Sequence, residues 1–133
     1  MPKISILDEP DHVADPKPVE WVGSTRDDLR RMPPEVRDTF GHALYQAQLG
    51  LHPASAKRLK GEFSGLIELL DDFDGDAYRA IYTVKLEGVV YVLHVFQKRS
   101  KRGIGTPKQE LVTIRRRWKE ARWHHATRHQ REG

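Results

Sequence analysis

The sequence predicts an α+β domain: an N-terminal strand and a helical hairpin, then an antiparallel β-meander, then a basic C-terminal helix. Three observations predict it. Segments of strand length, rich in β-branched and aromatic residues, cluster between residues 66 and 97. Apolar residues at helical spacing are confined to the flanks of that region. The chain of 133 residues is long enough for one domain with a modest core and too short for two comfortable ones.

Residues 1–17 hold Pro2, Pro10, Pro16 and many acids without periodicity, which predicts a flexible acidic arm before a domain over 18–123. Val19 and Trp21 alternate with polar neighbours in a short strand that Gly23 ends. Ser24, with Asp27 three residues on, reads as the N-cap of a helix carrying Leu29 and Met32. Pro33-Pro34 breaks that helix and opens a second, with Val36, Phe40, Leu44 and Ala47 on one stripe and Gly50 as its stop.

Leu66–Leu70 reads as a strand, Asp71–Asp76 around Gly75 as a polar loop, and Tyr78–Lys85 and Val89–Gln97 as two longer strands. The hairpin joining them takes a three-residue loop with Gly88 left-handed, because a two-residue loop would force positive φ on Leu86 and Glu87. Pairing Lys85 with Val89 sets Arg79 opposite Val95. Arg79, Val95, Gln97 and Arg99 then share one face, and His94, Phe96 and Lys98 the other. After a Ser100–Gly105 loop, Thr106 caps a final helix with Pro107 at its first position, Gln109 in a capping box, and Leu111, Ile114 and Trp118 on its apolar stripe. Residues 124–133 read as a frayed polar tail.

Composition excludes several functions. The longest apolar stretch, Val89–Phe96, is far too short to span a bilayer and the N-terminus has no signal-peptide pattern, so no membrane association and a cytoplasmic location are expected. With no cysteine there is no disulfide framework, thiolate nucleophile or Cys-based zinc site. His125 and His129 lie four apart without a nearby third ligand, and no metal or cofactor is expected. No glycine-rich phosphate loop or nucleophile elbow is present.

Charge is distributed unevenly. Residues 97–133 carry twelve Lys/Arg against three Asp/Glu, while the rest of the chain is net acidic. Such a block either attracts a polyanion, nucleic acid above all, or is simply a solvated basic helix. Lys57, Arg58, Lys60, Arg79, Lys98, Arg99 and Lys101 add cations around the predicted sheet. Arg79 is the most telling, because a guanidinium in a central strand needs either a compensating anion or an open cleft. Glu68 or an acid of the Asp71–Asp76 loop would satisfy the first alternative, a bound phosphate the second.

Four segments in order, Pro18-Val19-Glu20-Trp21-Val22-Gly23-Ser24, Leu59-Lys60-Gly61, Tyr78-Arg79-Ala80-Ile81-Tyr82, and Tyr91 through Ser100 followed by Thr106-Pro107-Lys108, resemble the RelE/ParE superfamily. The resemblance covers roughly residues 18–121 and is closest to the HigB-like, phage-derived branch of toxin–antitoxin toxins. It implies a RelE-like fold and a toxin that cuts mRNA on the ribosome without a metal, silenced by a cognate antitoxin that often carries a helix-turn-helix. By the same resemblance Arg79 and Arg99 bind the scissile phosphate; Lys98 and Lys101 join them as catalytic candidates because a lysine crowded by other cations can exchange protons. Lys57, Arg58, Lys60, Lys108 and Arg115 would hold RNA backbone, with the antitoxin or a solvated loop as the alternatives for Lys57, Arg58 and Lys60. RelE-like enzymes place lysines on the strand before the tyrosine-arginine strand. Here that strand reads Leu66-Ile67-Glu68-Leu69-Leu70, so the general base is open among Lys98, Lys101 and His94, and His94 equally suits a packed strand histidine. A gyrase inhibitor of the ParE kind, or an inactive nucleic-acid-binding protein, are the alternatives on the same scaffold.

Overall fold

The computed structural model describes residues 15–98 and 105–132, with side chains to residue 128. Most of the acidic arm, Arg99, Lys101 and nearly all of the Ser100–Gly105 loop lie outside the described residues. The elements are β1 (Val19–Trp21), α1 (Thr25–Arg30), α2 (Pro34–Gln48), β2 (Ala56–Arg58), β3 (Ile67–Phe73), β4 (Asp76–Thr83), β5 (Val90–Lys98) and α3 (Lys108–Glu132). They form a five-stranded sheet in the order β1-β5-β4-β3-β2. β1 runs parallel to β5 and the other pairs are antiparallel.

One core lies on each face. Pro34 starts α2, whose Val36, Phe40, Ala43, Leu44 and Ala47 are buried against Ile67, Leu69, Tyr78, Ala80, Tyr82, Val90, Val92 and Val95. Gly50, at φ 85°, takes the chain out of the helix. On the other face Ile114, Trp118 and Ala121 of α3 meet Leu66, Ile81, Val89, Tyr91, Leu93 and Phe96. The Val, Leu, Ile and Phe side chains among them stabilise the fold by about 1.5–3 kcal/mol each. The α+β class, the helical hairpin on one face and the basic helix closing the chain are as expected; that this helix covers the opposite face is set by the packing of Ile114, Trp118 and Ala121.

Local expectations are corrected at five places. The Asp71–Asp76 loop is strand, because Asp74 (φ 53°) and Gly75 (φ 84°) alone make the turn and Asp71–Phe73 continue the ladder with β4. Lys57 and Arg58 belong to an edge strand paired with β3. Ser24 stands at the N-cap of α1, yet its hydroxyl donates to Asp28 Oδ2 at 2.8 Å and caps no backbone N–H. α3 begins at Lys108, and the Pro107 carbonyl accepts from the Glu110 and Leu111 N–H groups, so Pro107 precedes the helix where Thr106 was expected to cap it. Finally, the helix does not fray after Trp123. It continues to Glu132 because tertiary contacts hold it: Tyr91 Oη–His124 Nδ1 at 2.8 Å, His125 Nε2 to the Glu87 carbonyl at 2.9 Å, and Arg128 to Glu20 at 3.1 Å.

The correction that matters most for function is a β-bulge. The predicted register holds where Thr83 meets Tyr91 and Tyr82 meets Val92, and Gly88 is left-handed at φ 83° as expected. Beyond that point Leu93 is an extra residue on β5, so Ile81 pairs with His94, Ala80 with Val95 and Arg79 with Phe96. One inserted residue exchanges the faces of everything past it. Arg79 therefore shares its face with His94, Phe96 and Lys98, not with Val95 and Gln97.

Candidate functional site

That face is the one α3 packs on, but α3 crosses β5, and the β3–β4 part carries Glu68, Leu70, Asp72, Ala77 and Arg79. Leu70 and Ala77 are half-buried there, the Arg79 side chain is 11 % exposed and Asp72 is exposed. Strand pairing sets Leu70 opposite Arg79 and leaves Glu68 and Asp72 one step to either side. Arg79 Nε lies 3.9 Å from Glu68 Oε2, its Nη1 3.5 Å from Asp72 Oδ1, and Nη1 donates to the Tyr78 carbonyl at 2.8 Å. The ion-pair alternative for Arg79 is thus the arrangement present, in a loose form. Neither carboxylate is bidentate, and Nη2 makes no hydrogen bond to a described residue.

His94 is held on both ring nitrogens. Arg117 can only donate, so its Nη1, 3.3 Å from Nδ1, places the ring proton on Nε2, which donates to Glu110 Oε1 at 2.6 Å. Burial lowers the His94 pKa below the usual 6.5, only partly countered by Glu110, with Arg117 adding to the lowering. Its ring stacks on Phe96 with centroids 4.7 Å apart. These contacts make His94 the packed, neutral strand histidine rather than a free proton acceptor. Arg117, itself buried, also donates to the Leu93 carbonyl and to Ser24 Oγ. Burial lowers its pKa, with Arg116 next in effect. Gly23 makes room for it, since a Cβ at that position, φ 60°, would stand 2.8 Å from the guanidinium.

The remaining predicted residues are dispersed. Lys98 lies opposite Ala77 on the Arg79 face and makes no hydrogen bond or ion pair with a described residue. Lys57, opposite Glu68, is on the same face at the sheet edge, whereas Arg58, opposite Ile67, turns to the α2 side. Lys60 precedes a short 3₁₀ turn, Gly61–Phe63, and Lys108 is the first residue of α3; both are exposed. Arg115 is not free. It makes a two-pronged pair with Glu62, both bonds 2.9 Å, and lies over Phe63. Arg99 and Lys101 lie outside the described residues, so the structure tests neither them nor an Arg79–Arg99 pair.

Glu68 is the residue sequence reasoning missed as a functional group, having entered only as an ion-pair partner. Its side chain is 11 % exposed and directly beside Arg79. The signal was available in the alternation of Leu66–Leu70, which puts Glu68 on the face opposite Ile67 and Leu69. A guanidinium and a carboxylate side by side can hold a phosphate and accept a nearby proton. A cavity of 590 Å³ between Trp21 and Trp123 holds none of the predicted site residues.

A family model described as "Phage derived protein Gp49-like (DUF891)" matches residues 27–119. No curated protein matches at a significant level. Among solved structures, a chain of the toxin–antitoxin complex RelBE2 from Mycobacterium tuberculosis matches at 22 % identity and a TM-score of 0.42, over 60 % of this chain and 95 % of that one.

Proposed function

This chain belongs to the Gp49-like family of phage-derived proteins, a RelE/HigB-type toxin family, and from that premise we propose that it is a metal-independent endoribonuclease cutting mRNA during translation. The observation that carries the reading is the juxtaposition of Arg79 and Glu68, 3.9 Å apart on a part of the sheet that α3 does not cross. Cleavage by internal transesterification needs a proton acceptor for the ribose 2′-hydroxyl, cations over the phosphorane and a donor for the departing 5′-oxygen. Glu68 takes the first role and removes the need for a lysine on β3. Arg79 takes the second, as a group that stays charged and presents a fork to phosphate oxygens. Lys98, with Arg99 and Lys101 beyond it, supplies further positive charge and the leaving-group proton. Asp72, exposed and 3.5 Å from Arg79, yields its place when a phosphate arrives. The products are a 2′,3′-cyclic phosphate and a free 5′-hydroxyl.

Lys57, on the Arg79 face, and Lys60, Lys108 and Arg115 contact RNA backbone, Arg115 by exchanging Glu62 for phosphate, while Arg58, turned to the α2 side, meets backbone away from Arg79. The ribosome positions the message, and a cognate antitoxin, of helix-turn-helix type by the family resemblance, silences the toxin in the cytoplasm. The test is expression of the wild type and Arg79→Ala with mapping of mRNA 5′ ends. Cuts inside reading frames that vanish in a folded Arg79→Ala protein, together with its growth arrest, are expected. Growth arrest that persists in that variant excludes the phosphate role, and a supercoiling defect without cuts identifies a gyrase inhibitor instead.

A further inference from the structure

Away from Arg79, about 13 Å along β4 at four residues of strand rise, two cavities of 360 and 130 Å³ adjoin at the Thr83 end of the sheet. Arg58, Ile67 and Val84 line both; Lys85 borders the larger, Lys17 and His52 the smaller. No aspartate or glutamate lines either one. By contrast, Arg79 is matched with Glu68 and Asp72, Arg115 with Glu62, and Arg128 with Glu20. The side chains of Lys17, His52, Arg58 and Lys85 form no hydrogen bond or ion pair with a described residue.

The cluster is built by the fold rather than by one basic run. Lys17 comes from the segment before β1, Arg58 from β2 and Lys85 from the β4–β5 loop. Gly65, at φ 98°, lets the Lys85 stem lie across it, for a Cβ there would stand 2.8 Å from Lys85 Cδ. Tyr82 lines the smaller cavity. Burial pushes its pKa up to about 12, with Arg58 pulling the other way, so its hydroxyl remains a donor. The last carbonyls of α2, whose Ala47 lines this cavity and which would repel an anion, are occupied: Lys17 N–H donates to the Gln48 carbonyl, and Leu51 and Gly50 N–H to those of Gln46 and Ala47.

We propose that Lys17, Arg58 and Lys85 form a second anion site that grips consecutive phosphates of an RNA strand, remote from the Arg79 site. Two adjoining cavities joined through one guanidinium suit a polyanion spread over successive phosphates better than one compact ion. Recognition by backbone charge alone is independent of sequence. The inference requires a polyanion but not its cleavage, and so goes beyond the nuclease reading.

It is tested with the full chain and a 2′-O-methyl oligoribonucleotide, which lacks the attacking hydroxyl and cannot be cut, by anisotropy across a salt series. Arg58→Gln/Lys85→Gln is expected to weaken binding about tenfold or more and to lower the log–log salt slope by about 1.4, at about 0.7 per lost phosphate contact. Unchanged affinity and slope in a variant with native circular dichroism and unchanged Tm would overturn the proposal. So would weaker binding at unchanged slope, or retained RNA binding with loss of antitoxin co-purification, which would assign the cluster to a protein partner. As an independent readout, pyrophosphate titration should shift the Gly65 and Val84 amide resonances in the wild type and in Arg79→Gln. Absence of those shifts also overturns it. Failure of the wild type to cut mRNA while the double variant still loses oligonucleotide affinity would reject the nuclease reading and leave this site standing.

Discussion

Arg79 joins two requirements that pull in opposite directions. A largely buried guanidinium needs carboxylates nearby, yet a phosphate-binding one must be able to leave at least one of them. Asp72, 79 % exposed and 3.5 Å away, is exchanged at modest cost, whereas Glu68, as buried as Arg79, stays beside it at 3.9 Å. Glu68→Gln keeps the shape and removes the proton acceptor. Single-turnover cleavage by that variant should fall by about 10²- to 10⁴-fold while RNA affinity is kept or rises. Retained cleavage would exclude Glu68 as the base. His94 gives a separate test at the level of stability. Its folded pKa lies below the 6.5 of the unfolded chain, so the unfolded chain takes up the proton first. The stability His94 contributes is complete above about pH 6.5 and is lost as pH falls through the lower folded value. Urea midpoints measured from pH 7.5 to 5 should fall in the wild type, and the fall should be shallower in His94→Gln.

At the scale of elements, the bulge at Leu93 and the turn at Gly23 act together. The bulge brings His94 onto the α3 side, where Glu110 and Arg117 close on it, and the turn leaves space for the Arg117 guanidinium against β5. α3 is thereby fastened to the sheet by buried polar contacts as well as by Trp118 and Ile114. Gly23→Ala imposes a left-handed backbone on a residue with a Cβ, about 1–2 kcal/mol, and displaces a buried charge with its hydrogen bonds, about 1–3 kcal/mol more. Thermal melting should show a loss of that combined size, whereas Gly41→Ala, which meets nothing within 4 Å, should be nearly silent or stabilising. Equal melting temperatures for Gly23→Ala and the wild type would refute the close approach.

For the whole molecule, the governing feature is that positive charge collects in the last quarter of the chain and in the cavity pair at the Thr83 end, while the first two-thirds is net acidic. A field of this shape orients a polyanion before any specific contact forms. Affinity for unstructured RNA should therefore fall linearly in log–log form with salt, at a slope equivalent to several phosphates, about 0.7 each. Binding independent of salt would contradict the electrostatic reading.

The α+β class, the apolar stripes of α2 and α3 and the Gly50 and Gly88 turns were legible because each rests on local periodicity or on a backbone conformation that only nearby residues decide. Tyr78-Arg79 and the other matching segments likewise carried the family. Three things were not legible in that way. The face of Arg79 depended on one extra residue in β5, and a bulge leaves little trace in a run of buried apolar residues. The helical continuation past Trp123 depended on Glu20, Glu87 and Tyr91, far away in the chain. The grouping of Lys17, Arg58 and Lys85 arose only when three separate segments met at one end of the sheet. Local sequence dictates which elements form and where they stop; which charges become neighbours is a matter of register and packing, long-range interactions that no short window contains.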